Sequence, residues 1–223
     1  MLYHPHVPLA LTQRLGDVSV LQSFQEAEQH LSQVEIKVAP DASAPGTLRV
    51  DVVCPDELRN RNVAASLTIR VPRSVAADVE TSNGSIRASD LRGPSRLATS
   101  NGGVVVQRVA GDLSVETSNG RIDLDDVSGN VSARTNNGGI VARTIGGGLK
   151  AESSNGGVQA LGVKGDVHVD TSNGRVVVEG EPAPEGAVEV TSSNGSIHLT
   201  LPSAIRGELD LRTSNGRVRV DTA

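Results

Sequence analysis

From Ala77 onward the chain alternates apolar and polar side chains in short runs, and the runs recur at a fixed distance. Asn83, Asn101, Asn119, Asn137, Asn155, Asn173, Asn194 and Asn215 are each followed by Gly, in five steps of 18 residues and then two of 21. Three residues after each Asn stands a β-branched side chain: Ile86, Val104, Ile122, Ile140, Val158, Val176, Ile197 and Val218. Two further on come Ala88, Val106, Leu124, Ala142, Ala160, Val178, Leu199 and Val220; four before each Asn come Val79, Leu97, Val115, Ala133, Ala151, Val169, Val190 and Leu211. The columns between are polar or mixed. Period-two alternation marks strands with one buried face, so each unit holds two short strands on either side of an Asn-Gly corner. A second corner falls at Gly93, Gly111, Gly129, Gly147, Gly165, Gly186 and Gly207. Glycine, and after it Asn, tolerates positive φ, which is the expected reason for both residues at the corners. The apolar residue two before that second Gly (Leu91, Val109, Val127, Ile145, Val163, Ile205) is expected to plug the core at the bend.

Asn-Gly between alternating strands is also a hairpin signal, so an antiparallel meander has to be weighed. A meander needs a second layer over its apolar face, and it gives no reason for a fixed period because like residues would not meet. In a solenoid each coil lies about 4.8 Å above the last and like stacks on like. The reading is therefore an all-β, single-stranded parallel β-solenoid of eight turns, a rod of roughly 38 Å. The extra residues of the 21-residue units fall at Glu181–Gly186 and Pro202–Gly207, inside one corner, which leaves the strands in register.

Residues 1–65 break the period and read as an N-terminal cap, with the solenoid over 66–223. Ser23-Phe24-Gln25-Glu26 fits a capping box, and Phe24, Ala27, Leu31 and Val34 share a helical face. These predict a short helix over 23–32, hence an α/β cap. Strands are expected around Val34-Ile36-Val38, Leu48-Val50-Val52 and Val63–Val71.

Composition narrows the picture. The 223 residues include no Trp, one Tyr, one Phe and one Met, so the core is built from Val, Ile, Leu and Ala and must be thin and uniform. A net charge of −5 supplies no basic footprint for nucleic acid. Cys54 has no partner for an internal disulfide. No apolar run approaches the roughly 18 residues of a membrane span, and MLYHPHVPLAL lacks the pattern of a signal peptide. The chain as written reads as soluble and cytoplasmic; a copy trimmed of an export signal would look the same and would be envelope-associated or secreted.

The Asn column is expected to form an amide ladder along the axis and to satisfy corner backbone. The inward Thr81, Thr99, Thr117, Thr135, Thr171 and Thr213, with Ser153 and Ser192, are expected to cap the same corner. An outward Thr array of the ice-binding kind is not present, since the recurring Thr has inward parity. The column after the second Gly (Pro94, Asp112, Asn130, Gly148, Asp166, Ala187, Glu208) is too irregular for a repeated calcium site, and His4 and His6 are two donors without a third. No metal or cofactor is expected. Arg121, Asp123, Asp125 and Asp126 form the densest charged cluster, the candidate for a polysaccharide-active β-helix enzyme; a solvated face is the preferred reading. The last coil carries Arg217, Arg219 and Asp221 on strands without a visible cap, a candidate end-to-end contact between copies.

The T-S-N-G-x-[IV]-x-[VLA] units, spaced by G-D or G-N and entered through Val71-Pro72, resemble the bacterial DUF4097 family of adhesin-like β-strand repeat proteins over roughly 66–223. The resemblance implies a β-helical repeat domain, often envelope-associated, and carries no catalytic residues. The expected function is a non-enzymatic interaction module presenting polar surface to a protein or envelope partner. The alternatives are a scaffold unit that polymerises through its ends and the polysaccharide enzyme.

Overall fold

The computed structural model describes residues 10–15, 18–25, 35–40, 48–53, 64–70, 76–181, 186–203 and 206–222. It divides into two compact units, Met1–Pro72 and Arg73–Ala223, and every regular element among the described residues is a β-strand.

In the first unit, β1 (Ala10–Leu15), β2 (Val18–Gln25) and β5 (Ala64–Arg70) form an antiparallel sheet in the order β1-β2-β5, and β3 (Glu35–Pro40) pairs with β4 (Leu48–Val53) in a separate antiparallel pair. The expected strands around Ile36, Val50 and Leu67 are these last three elements. The helix expected over 23–32 is corrected at its start: Ser23, Phe24 and Gln25 belong to β2 and face Ser66, Ala65 and Ala64. The run VSVLQSFQ carries β-branched and aromatic residues suited to a strand. A paired neighbour then outweighs one capping signal, worth only about 1 kcal/mol. The remainder of that helix, like His4, His6 and Cys54, lies outside the described residues.

The second unit is the solenoid. One eight-stranded parallel sheet is made of β6 (Ala77–Thr81), β8 (Ser95–Thr99), β10 (Leu113–Thr117), β12 (Val131–Thr135), β14 (Leu149–Ser153), β16 (Val167–Thr171), β18 (Val188–Ser192) and β20 (Leu209–Thr213). The other is made of β7 (Ile86–Leu91), β9 (Val104–Val109), β11 (Ile122–Val127), β13 (Ile140–Ile145), β15 (Val158–Val163), β17 (Val176–Gly180), β19 (Ile197–Leu201) and β21 (Val218–Thr222). The pairing is parallel and in register, Ile122 on Val104 and Ile140, Val115 on Leu97 and Ala133. The meander is thereby excluded. Where the period lengthens to 21 residues the strands stay aligned, Val188 on Val167 and Val190 on Val169. Residues 182–185 and 204–205 of the lengthened corners, including Ile205, lie outside the described residues.

The core lies between the two sheets, and its apolar side chains are all aliphatic. Leu97, Val104, Val106, Ile122, Leu124, Ile140, Ile145 and Leu199 are fully buried. On the first sheet the alternation is strict, buried-exposed-buried-exposed-buried over β10 and β12. On the second it breaks: β11 reads buried, half-buried, buried, exposed, exposed, buried. The break has a definite backbone cause. Asp90, Arg108, Asp126 and Thr144, one per coil, hold φ between 55 and 60°, and Gly162 continues the column at 71°. Each such residue drops out of the ladder, so that Asp125 pairs with Arg143 and the next pair is Val127 with Ile145. One left-handed residue inverts the parity and turns Leu91, Val109, Val127, Ile145 and Val163 inward to close the bend.

This corrects the expected role of the corner glycines. Neither the ladder Asn nor the Gly that follows it has positive φ among the described residues, and of the second-corner glycines only Gly111 does. The Asn-Gly glycine is needed for space. A Cβ on Gly120 would stand 1.8 Å from the carbonyl oxygen of Gly102 in the coil below.

Candidate functional site

The T-S-N-G edge of the rod carries two hydrogen-bonded ladders at different depths. The inner ladder is made of hydroxyls. Thr99 Oγ1 donates to the Gly84 carbonyl at 2.9 Å, Thr117 to Gly102 at 2.9 Å, Thr135 to Gly120 at 3.1 Å, Ser153 to Gly138 at 3.0 Å and Thr171 to Gly156 at 3.0 Å. Ser192 and Thr213 do the same for Gly174 and Gly195. These hydroxyls are buried in the middle coils, Thr135 to 1% exposure, where a carbonyl without a donor would cost about 1–3 kcal/mol. The hydroxyl role expected from the inward parity is the one they fill.

The outer ladder is the asparagine column. Asn101 Nδ2 donates to Asn83 Oδ1 at 2.8 Å, Asn119 to Asn101 and Asn137 to Asn119 at 2.7 Å, and Asn155 to Asn137 at 2.9 Å. Asn173 donates to Asn155 at 2.8 Å, Asn194 to Asn173 and Asn215 to Asn194 at 2.9 Å. All eight sequence-predicted residues are joined. Their side chains are exposed, however, so the expectation that they satisfy buried corner backbone is corrected. That work is done by the hydroxyls, while the amides bond chiefly to each other. Only Asn101 and Asn173 also reach a corner carbonyl, Ser82 and Ser154, at 3.5 Å.

At the opposite edge, part of the column dismissed as a metal site has a structural use. Asp112 Oδ1 accepts the backbone N–H of Asn130 at 2.8 Å, Asn130 Oδ1 that of Gly148 at 2.8 Å, and Asp166 Oδ1 that of Ala187 at 2.9 Å. The signal for this was an Asp or Asn directly after the corner Gly at 112, 130 and 166. Among the described residues no group of three or more His, Cys, Asp or Glu is arranged to hold a metal ion.

The outer faces are laced by ion pairs between or within coils. Arg108 makes a bidentate contact with Asp90 at 2.9 Å, and that carboxylate, with Asp126 and Asp125 adding their fields, raises the guanidinium further above its ordinary value. Glu152 meets Lys150 at 2.9 Å and also Arg134. The hydrogen bond from Lys150 leads in holding its carboxyl below the usual range, against partial burial and with help from Arg134. His168 pairs with Glu189 at 2.9 Å. Of the charged cluster considered for catalysis, Arg121 pairs with Asp123 at 2.9 Å, while Asp125 and the left-handed Asp126 contribute only their fields at Arg108.

The end coil holds the other predicted residues. Arg219 pairs with Asp221 at 2.8 Å, and Asp221 also meets His198 Nε2 at 3.1 Å. The Arg219 hydrogen bond first, then the fields of Arg219 and His198, keep the Asp221 carboxyl low. Arg217 is exposed, and its carbonyl accepts the Ile197 N–H at 2.8 Å. Sequence reasoning missed the apolar character of this end: Leu209, Val218 and Val220 are 41%, 43% and 46% exposed.

Two facing parallel sheets, wound one strand at a time and clamped by amide and hydroxyl ladders, define the molecule as a parallel β-solenoid repeat protein. A family model described as Toastrack DUF4097 matches residues 16–223, all but the first fifteen, and the chain belongs to that family. No curated protein and no solved structure matches it. Among the described residues no helix is long and apolar enough to cross a membrane.

Proposed function

We propose that the protein is a non-enzymatic, adhesin-like structural module whose solenoid unit presents polar outer faces to a protein or cell-envelope partner. The observation that carries this reading is where the recurring polar groups go. The Thr and Ser hydroxyls, the Asn amides and the corner Asp and Asn oxygens are spent on the neighbouring coil. What remains outside is a charged and polar surface that includes the ion pairs of Arg108 with Asp90 and Lys150 with Glu152 and the contact of His168 with Glu189. Such a surface suits many weak contacts on a stiff support, with each exposed pair adding about 0–1 kcal/mol. Cosedimentation of the purified chain with isolated cell walls and with membrane vesicles tests it. Saturable, salt-sensitive retention with no release of sugar ends supports the reading. Turnover of an acidic polysaccharide would replace it with the enzyme reading, and no retention on either material would remove the envelope partner.

A second reading, assembly through the solenoid end, is favoured by the exposed Leu209, Val218 and Val220.

A further inference from the structure

β20 and β21 are the last strands of their sheets. The N–H of Val188 takes the Glu208 carbonyl, and that of Ile197 takes the Arg217 carbonyl, both at 2.8 Å. Alternate residues of a parallel strand turn their backbone groups to opposite neighbours. Leu209, Leu211 and Thr213 in β20, and Val218, Val220 and Thr222 in β21, therefore turn theirs toward the open edge. The same positions one coil earlier show what a neighbour covers: Val188, Ile197 and Leu199 are 0–1% exposed, against 41–46% for Leu209, Val218 and Val220.

The charges choose the neighbour. β20 reads Leu-Asp-Leu-Arg-Thr and β21 reads Val-Arg-Val-Asp-Thr, so each has an apolar centre flanked by one acid and one base. Each strand is complementary to itself when paired antiparallel about that centre. Val220 then meets its own copy, and Arg219 and Asp221 meet Asp221 and Arg219 of the second copy. Leu211 likewise meets its own copy, and Asp210 and Arg212 meet Arg212 and Asp210. Leu211 stands two residues before the end of β20 and Val220 two after the start of β21. Both centres are thus equally far from the shared corner, and one two-fold axis perpendicular to the sheets serves both strands.

The other arrangements set like charges together. A two-fold axis along the strands pairs β20 with β21 of the second copy and opposes Arg212 to Arg219 and Asp210 to Asp221. Head-to-tail stacking, with the coil register continued onto β6 and β7, places Asp210 on Asp78 and Arg219 on Arg87, two like pairs against the single opposite pair of Arg212 on Glu80. Like charges directly opposite are destabilising in a sheet, whereas opposite ones are favourable. We infer that the end coil is a self-complementary surface whose partner is a second copy of this chain, joined head to head through β20–β20 and β21–β21 antiparallel pairing into a closed dimer with two continuous sheets. This rests on the end-assembly reading and narrows it from a growing polymer to a dimer.

Sedimentation velocity of the full chain from micromolar to millimolar concentration tests it, with circular dichroism confirming that each variant stays folded. Arg219→Asp opposes two acids across the axis twice over and is expected to weaken the dimer about tenfold. Asp221→Arg does the same with two bases. An equimolar mixture of the two variants restores both cross-strand pairs, so native mass spectrometry should show the mixed dimer in excess of either homodimer. Association that is unchanged or strengthened by Arg219→Asp, or that grows beyond two copies, overturns the two-fold register while keeping assembly through the end. A monomer at millimolar concentration overturns both.

Discussion

Thr135 and Asn137 are two residues apart, and both hydrogen-bond to the coil below, yet burial separates what they contribute. Thr135 is 1% exposed and supplies the donor for the Gly120 carbonyl. Thr135→Val keeps the shape and orphans a buried acceptor, for an expected loss of about 1–3 kcal/mol. Asn137 donates to Asn119 and accepts from Asn155, but water reaches it and can replace both partners. Asn137→Ala is expected to cost about 0.5–1.5 kcal/mol. Urea midpoints should rank the two in that order, and the reverse would mean that the amide ladder is the stronger clamp. Glu152 offers a titration test. Its carboxyl is lowered chiefly by Lys150, so its contribution is complete above the ordinary carboxylate value of about 4.3. It fades as the pH falls through the lowered value, because the unfolded chain takes up the proton first. A side-chain NMR titration should find Glu152 below that value, and Lys150→Met should move it up.

The coil, not the strand, is the unit of construction, and its glycines show how. The Cβ of an alanine at position 120 would lie 1.8 Å from backbone in the coil below, whereas one at position 103 would meet the Arg121 carbonyl at 3.4 Å. Gly120→Ala should therefore destabilise by more than about 3 kcal/mol, and Gly103→Ala should stay within about 0.5 kcal/mol. Thermal unfolding of the two variants measures the difference. At this scale the apolar columns, the coil length and the inward Thr were readable from the chain alone. The left-handed column was half-legible: apolar residues at 122, 124 and 127 announce a parity break after Leu124, although not that Asp126 supplies it with φ of 58°. The helix expected over 23–32 failed at Ser23–Gln25 because local capping is weak and pairing with β5 is non-local.

For the solenoid unit as a whole, like-on-like stacking makes the rod divisible by whole coils. Ile140 stacks on Ile122, which stacks on Val104, so deleting residues 122–139 splices one complete coil out and joins equivalent columns. The shortened chain should unfold cooperatively, with a urea m-value reduced in proportion to the surface it no longer buries. Deleting residues 122–130 alone should destroy the cooperative transition, because it sets one sheet's columns against the other's. The end coil belongs to this scale too: neither its 41–46% exposure nor its match to its own copy is a property of any one residue.

The sequence by itself determined the solenoid, because a period enforced by contact between like residues is written directly into the spacing of Asn, Gly and the aliphatic columns. Only the tertiary structure decided that the Asn amides stay exposed and bond to one another, which corner carbonyl each buried hydroxyl serves, and why the Asn-Gly glycines have no substitute. Those depend on the distance between one coil and the next, and no single coil contains that distance.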